Sequence, residues 1–119
     1  MNWYLAKIVF RIVCGDGDHT AQFDEQLRLV KAGEKGEAFL KAQLIGSREE
    51  ENFFNQNQQL VRWQFINVSE LYKLSELIDG AELYSRIEER DNGDGYVEMI
   101  NEKAAMIESG RTLEILELV

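Results

Sequence analysis

Apolar and polar side chains alternate through residues 3–13, and this alternation constrains the fold more than any other feature. Successive side chains of a strand point to opposite faces of a sheet, so the stretch predicts a strand with one strongly apolar side. That side carries Tyr4, Ala6, Ile8, Phe10 and Ile12. Lys7 and Arg11 point the other way. The apolar side must be covered, so we expect a layered domain built around a sheet.

A second alternating stretch follows a turn at 15–19 that contains two glycines. The apolar residues Phe23, Leu27 and Leu29 share one side of this stretch. The opposite side carries the polar residues Gln22, Asp24, Gln26 and Arg28. The pattern predicts the antiparallel return strand of a hairpin.

After Gly33 the hydrophobic period changes from two residues to three and four. The apolar positions are Ala38, Phe39, Ala42 and Ile45. This spacing is typical of one face of an amphipathic helix, which we predict over 34–45 with Gly46 at its C-terminal cap.

The remaining pattern up to residue 90 predicts three more strands. A short strand at 49–54 and a polar "NQNQ" turn precede a long strand that continues past Ser69 across a bulge. The "DG" turn at 79–80 precedes a last strand over 81–90. The predicted fold class is α+β, an antiparallel sheet of about five strands in the order ββαβββ with the helix packed across the apolar side of the strands.

A second helix follows, with Asp94 as its N-cap and Gly110 at its end. Its apolar positions are Val97, Ile100, Ala104 and Ile107. The tail at 111–119 is too apolar for a solvated terminus, so we expect it to dock as a strand on this domain or to form a homodimer interface. A short helix is the alternative form of the tail. The chain is predicted to be a single domain, 1–119, with a core at 1–90 and the helix and tail at 91–119.

Charge and composition restrict the partners of this chain. The net charge is −9 and the pI is near 4.6, which opposes a nucleic-acid partner because such binding requires clustered Lys and Arg. Lys7 and Arg11 interrupt the apolar N-terminal stretch, so we predict neither a signal peptide nor a membrane partner. The single cysteine, Cys14, forms no internal disulfide. These features predict an acidic, cytoplasmic protein.

The sequence offers no set of residues with the spacing of a catalytic or metal site. The alternative is a carboxylate-only magnesium or calcium site, which the fold could assemble from Asp24, Glu25, Glu82 and Glu88 although their spacing does not indicate it. His19 is the only histidine and Cys14 the only cysteine, whereas nucleophilic sites and zinc sites need several such groups. An EF-hand loop with Gly95 at position 6 would place Arg90 at position 1, where a carboxylate must bind calcium. We therefore predict no catalytic residue, no metal and no cofactor.

Polar and aromatic residues on the predicted strands form the candidate ligand-binding set. It comprises Arg62, Arg86, Tyr84, Arg28 and Glu25. Arginines on adjacent strands can clamp an anion, with an aromatic ring stacked beside it. The same residues also suit a solvated sheet face with cross-strand ion pairs.

Four segments resemble a bacterial family known as domain of unknown function 4288. They are "WYLAKIVF" at 3–10, "FDEQLRLVKAGEKGEAFLKAQLIG" at 23–46, "VRWQFINVSELYKL" at 61–74 and "DGAELYSR" at 79–86. The resemblance supports the predicted fold and implies no activity. From the residues we expect a non-enzymatic cytoplasmic interaction or regulatory module that binds a protein or itself. The alternative is a small-ligand binding protein or enzyme that uses the Arg/Tyr/Glu face of the sheet.

Overall fold

A computed structural model describes the backbone of residues 1–118 and the side chains of residues 1–110. The elements are β1 (Asn2–Cys14), β2 (Gln22–Ala32), α1 (Lys35–Arg48), β3 (Glu51–Phe54), β4 (Leu60–Leu74) and α2 (Gly93–Leu118). The chain divides into two compact units, residues 1–85 and residues 86–119. The first unit contains the sheet and α1, and the second contains α2. The predicted α+β class is confirmed, whereas the single domain over 1–119 stays a prediction.

The sheet has four antiparallel strands in the order β2-β1-β4-β3. β1 pairs with β2 without interruption, from Asn2 opposite Ala32 to Ile12 opposite Gln22. Its pairing with β4 shifts register twice, because β4 carries one extra residue at each shift. One of these extra residues is Ser69, so the predicted bulge is confirmed.

The predicted fifth strand over 81–90 is wrong, because this segment pairs with no strand in the described part of the chain. A strand is stable only when its backbone N–H and C=O groups have partners in a neighbouring strand. The turn at 79–80 does form, with Gly80 at a φ of 85° and the Ala81 N–H bound to the Ile78 carbonyl. Beyond it, Tyr84 packs edge-on against Tyr72 of β4, with 5.5 Å between ring centroids.

The core lies between α1 and the sheet face that this helix covers, which we call the α1 face. Its members are Tyr4, Ala6, Ile8, Phe10, Val30, Ala32, Ala38, Ala42 and Val68. Ala38 and Ala42 are fully buried, and their small side chains let the helix approach the sheet closely. The opposite sheet face is called the second face below.

Gly46 has a different role from the predicted helix cap. α1 continues to Arg48, and the N–H of the cap residue Glu49 binds the carbonyls of Ile45 and Gly46. Gly46 is buried, and a Cβ at this position would collide with the ring of Phe65. The glycine is therefore needed for close packing of the helix on β4.

The second unit begins its helix two residues earlier than predicted and ends it later. The Asn92 side chain caps α2, because its Oδ1 accepts the Gly95 N–H at 3.0 Å, so the predicted cap Asp94 lies inside the first turn. The helix passes through Gly110 and reaches Leu118, so the strand form of the tail is wrong. The side chains at 111–118, and Val119 entirely, lie outside the described residues, and docking of the tail stays a prediction. Among the described residues, no helix is long and apolar enough to cross a membrane.

Candidate functional site

β2 turns its polar side toward α1 and its apolar side away from it. Val30 pairs with Tyr4 and Arg28 with Ala6, so the even-numbered residues of β2 share the α1 face with the core residues of β1. Phe23, Leu27 and Leu29 consequently lie on the second face, and we call these three residues the β2 stripe. Their exposed fractions are 54%, 53% and 49%. The expectation that the helix covers the apolar side of every strand is therefore wrong for β2.

The second face is well covered only near the middle of the sheet. Leu5 of β1 and Leu74 of β4 are 4% and 5% exposed, respectively. Leu29 of the stripe pairs with Leu5, but Phe23 pairs with Arg11 and Leu27 with Lys7. The guanidinium of Arg11 lies 5.7 Å from the Phe23 ring centroid, and the ammonium of Lys31, two residues beyond Leu29, lies 5.4 Å from the ring centroid of Trp3. This border of cations around half-exposed apolar groups resembles the composition of a protein-binding surface more than that of a solvated face.

A polar cluster occupies the second face between β1 and β4. Lys7 Nζ lies 2.6 Å from Glu70, and the Tyr72 hydroxyl donates to the same carboxylate at 2.7 Å. The Lys7 ammonium also lies 5.9 Å from the centroid of the Tyr84 ring. Glu70 therefore neutralises the lysine and orients the tyrosine.

This cluster holds its two proton-bearing groups in their protonated forms. The hydrogen bond to Glu70 raises the pKa of Lys7 above its ordinary value, despite partial desolvation. The same hydrogen bond, together with desolvation, raises the pKa of Tyr72. A lysine or tyrosine that serves as nucleophile or general base needs its pKa lowered toward neutrality. The electrostatics are those of a structural ion pair.

A cleft of about 440 Å³ opens on the α1 face, where the C-terminal end of α1 meets β2, β3 and β4. It is lined by Phe10, Asp24, Gln26, Arg48, Glu49, Glu50, Glu51, Phe53 and Trp63. Phe53 and Trp63 stack with 6.5 Å between ring centroids and an interplanar angle of 27°. The cleft thus combines an aromatic wall with four carboxylates.

A chain of hydrogen bonds runs along the cleft edge of β2. Asp24 Oδ2 accepts from the Trp63 indole N–H at 3.2 Å and from Gln26 Nε2 at 2.6 Å. Arg28 donates to Gln26 at 2.9 Å and makes two bonds of 2.7 and 2.6 Å to the two oxygens of Glu49. Hydrogen bonding from Arg28, followed by its charge, holds the pKa of Glu49 below the ordinary value, against partial desolvation.

The five predicted ligand residues do not share one described surface. Arg28 and Glu25 lie on opposite faces of β2, since residues of opposite parity point to opposite sides. Arg62 lies opposite Val13 in the sheet, and its Nε–H is buried with no hydrogen-bond partner among the described residues. Tyr84 contacts the second face, while Arg86 belongs to the second unit and pairs with Glu88. Ligand binding by these residues stays a prediction.

The sequence did not predict which side chains contact the polar residues of β1 and β2. Polar residues at 24, 26 and 28 were visible as one side of a strand, but their approach to Glu49 depends on where α1 ends. Lys7 and Glu70 are adjacent only because of the β1–β4 register and its bulges. The turn at 15–19 holds His19 through its ring: Nε2 accepts the Cys14 backbone N–H at 3.0 Å, so the contact does not involve the thiol.

The sheet order, the helix α1 across one face and the two surfaces define the class of the first unit. It is a ββαββ domain with one packed face and one partly open face, and no group of three or more His, Cys, Asp or Glu suited to a metal occurs in the described residues. A family model, "Domain of unknown function (DUF4288)", matches residues 3–85, and the chain belongs to this family. No curated protein and no solved structure matches the chain.

Proposed function

We propose that this chain is a non-enzymatic cytoplasmic interaction module that binds a protein partner through the β2 stripe. The observation that carries the proposal is the half-exposed row of Phe23, Leu27 and Leu29 on a strand at the edge of the sheet. Half-exposed apolar side chains gain further hydrophobic free energy when a partner covers them, and Glu25 is the one charged residue of β2 among these three on the second face. Edge strands add a second means of binding, because their outward N–H and C=O groups can pair with another strand.

The electrostatics of the sheet support binding over catalysis. On the second face Lys7 and Glu70 neutralise one another, and the raised pKa values of Lys7 and Tyr72 oppose base or nucleophile roles. A net charge of −9 keeps the chain soluble and favours partners that are not themselves strongly acidic.

Site-specific photo-cross-linking in living cells tests this proposal. A benzophenone amino acid replaces Leu27 of the stripe in one version of the chain. The matched control places it at Leu40, which is 67% exposed on α1 and lies outside the stripe. We expect discrete protein adducts from position 27 and none from position 40. Equal labelling from both positions, or none from either, would contradict the proposal.

The cleft on the α1 face supports a second candidate function, the binding of a small cationic ligand. An ammonium or guanidinium group is attracted both by carboxylates and by the faces of aromatic rings. Asp24 lies beside the stacked pair of Trp63 and Phe53, and Glu50 and Glu51 line the same space. The candidate differs from the predicted Arg/Tyr/Glu site, which was expected to bind an anion.

Tryptophan fluorescence tests the cationic ligand. In a Trp3→Phe background, Trp63 is the remaining indole, and it lines the cleft. Titration with spermidine and with arginine amide should change its emission saturably. Asp24→Asn should weaken the response about tenfold, as loss of one charge-assisted contact does, while Glu76→Gln leaves it unchanged. A linear response, or one that Asp24→Asn leaves intact, would contradict this candidate.

A further inference from the structure

In the described part of the chain, the outer edge of β2 pairs with no strand along its whole length, whereas the opposite edge of the sheet is divided between the short β3 and the part of β4 beyond Trp63 that β3 does not pair with. β2 lies at one end of the strand order and spans Gln22–Ala32, whereas β3 at the other end spans only Glu51–Phe54. Proteins commonly shorten or cover an edge strand to prevent pairing with other chains. β3 is protected by its short length, whereas most of the outer edge of β2 is neither short nor covered.

The hydrogen bonds of α1 show which backbone groups of β2 face outward. Lys41 Nζ donates to the carbonyl of Lys31 at 2.9 Å, so this carbonyl points away from β1. Residues two apart in an antiparallel strand direct their N–H and C=O groups to the same edge. Glu25, Leu27 and Leu29 therefore present their backbone groups on the outer edge, and their side chains lie on the second face. A strand that pairs with this outer edge would form backbone hydrogen bonds with β2 and would also bring its side chains beside the β2 stripe.

We propose that two copies of this chain pair their β2 edges antiparallel about a two-fold axis at Arg28, which makes one continuous sheet. The proposal rests on the proposed function and names the partner as a second copy. Two-fold symmetry places residue i opposite residue 56 − i, so that Leu27 opposes Leu29 and Glu25 opposes Lys31 of the partner. Each of these pairs occurs twice. The leucines cover one another, and each carboxylate meets an ammonium.

Neighbouring registers lack this complementarity. A two-fold axis at Leu27 would place Glu25 opposite Leu29, and an axis at Gln26 would place Glu25 opposite Leu27. An axis at Leu29 would place Lys31 opposite Leu27. Only the axis at Arg28 matches opposite charges and leucines together. The two Arg28 side chains then face one another, but each already holds the carboxylate of Glu49 in a bidentate pair, so the charges at the axis sum to zero.

Sedimentation of the full chain with charge-swapped variants tests the pairing. We expect a concentration-dependent dimer of the unaltered chain. Glu25→Lys and Lys31→Glu should each weaken it about tenfold or more, because two attractive pairs become repulsive. The double swap should restore it. Glu76→Lys makes the same charge change as Glu25→Lys at an exposed position without a described ion pair, and should leave the dimer intact.

Disulfide trapping tests the position of the axis. In a Cys14→Ser background, Arg28→Cys should form a covalent dimer on oxidation, because residues opposed in a non-hydrogen-bonded pair lie close enough for a disulfide. Gln26→Cys should not form a covalent dimer, because residue 26 lies opposite residue 30 of the second copy and not opposite its own symmetry mate. Thermal melts of both variants establish that they are folded.

Three results would overturn self-pairing: a monomer at every concentration, a dimer unaffected by Glu25→Lys, or efficient trapping through Gln26→Cys. The cross-linking at Leu27 separates this failure from failure of the proposed function. If position 27 cross-links to a different protein and the chain sediments as a monomer, the proposed interaction module stands and the proposal of a second copy as its partner is wrong. If position 27 gives no adduct and the chain sediments as a monomer, both the proposed function and self-pairing are wrong.

Discussion

Two phenylalanines on adjacent strands show how differently the two faces of the sheet are used. Phe10 of β1 lies on the α1 face and is 1% exposed, whereas Phe23 of β2 lies on the second face and is 54% exposed. The two residues are near neighbours, since Phe10 pairs with Asp24 and Phe23 pairs with Arg11. The α1 face therefore supplies the stability of the fold. The β2 side of the second face retains apolar surface that folding of the described residues does not bury.

The largest expected difference between the faces is in the cost of removing an aromatic ring. Phe10→Ala should lower the free energy of unfolding by ~3–5 kcal/mol, because it leaves a cavity in a packed core. Phe23→Ala should lower it by less than about 1 kcal/mol, since the ring is half exposed already. Urea melts of both variants, done at a low and equal protein concentration, measure the difference. Equal losses would show that the second face is as well packed as the first.

Glycine substitutions in α1 test the packing of the α1 face at close range. Gly46→Ala should destabilise the fold by ~1–3 kcal/mol, because the new Cβ meets the Phe65 ring, which is held edge-on against Phe10. Gly36→Ala on the same helix should stabilise it by up to ~1 kcal/mol, since its Cβ has room. Thermal melts of the two variants measure whether each substitution raises or lowers the stability. A neutral Gly46→Ala would show that the helix can shift away from β4.

The stabilisation by the bidentate pair of Arg28 and Glu49 on the α1 face should be lost in acid. The pKa of Glu49 is lowered in the folded chain, so the contribution of the pair is present above the ordinary value of 4.5 and is lost as the pH falls through the folded pKa. Its size should be below about 1 kcal/mol, because the Arg28 and Glu49 side chains are 36% and 41% exposed. Glu49→Gln should therefore melt earlier than the unaltered chain at pH 7. The gap between them should close below pH 4.5, and a constant gap would contradict this assignment.

The ion pair on the second face should have the opposite pH dependence and the smallest effect. The pKa of Lys7 is raised in the folded chain, so its contribution is present below 10.5 and is lost as the pH rises through the folded pKa. Lys7→Met should thus change the slope of stability against pH on the alkaline side. Melts of Lys7→Met between neutral and alkaline pH measure this, and Glu49→Gln serves as its control.

The sequence predicted the strands with regular alternation well, and it predicted their orientation poorly. Alternation in β1 identified the core residues Tyr4, Ile8 and Phe10, and helical spacing identified Ala38 and Ala42 of α1. In β2 the same rule separated two sides but could not tell which side meets the helix. That choice is set by the register with β1, which places Val30 opposite Tyr4 and sends the more apolar side outward.

Two errors of the sequence-based prediction have a common physical cause. A local sequence pattern is often compatible with more than one structure, and contacts with residues distant in sequence decide between them. Residues 81–90 have the composition of a strand, yet in the described residues no neighbouring strand pairs with them. Gly46 has the spacing of a helix cap, yet the approach of Phe65 explains its presence better. The cleft on the α1 face was missed for the same reason, since Asp24, Glu49 and Trp63 are distant in sequence.

Residue-resolved amide hydrogen exchange of the full chain at two concentrations tests most directly whether the outer edge of β2 is a binding surface. The Arg28 and Val30 amides face β1 and should be protected at both concentrations. The Leu27 and Leu29 amides should exchange rapidly in dilute protein and become protected as the concentration rises. Protection of Leu27 and Leu29 in dilute protein, or rapid exchange at every concentration, would contradict self-pairing through this edge.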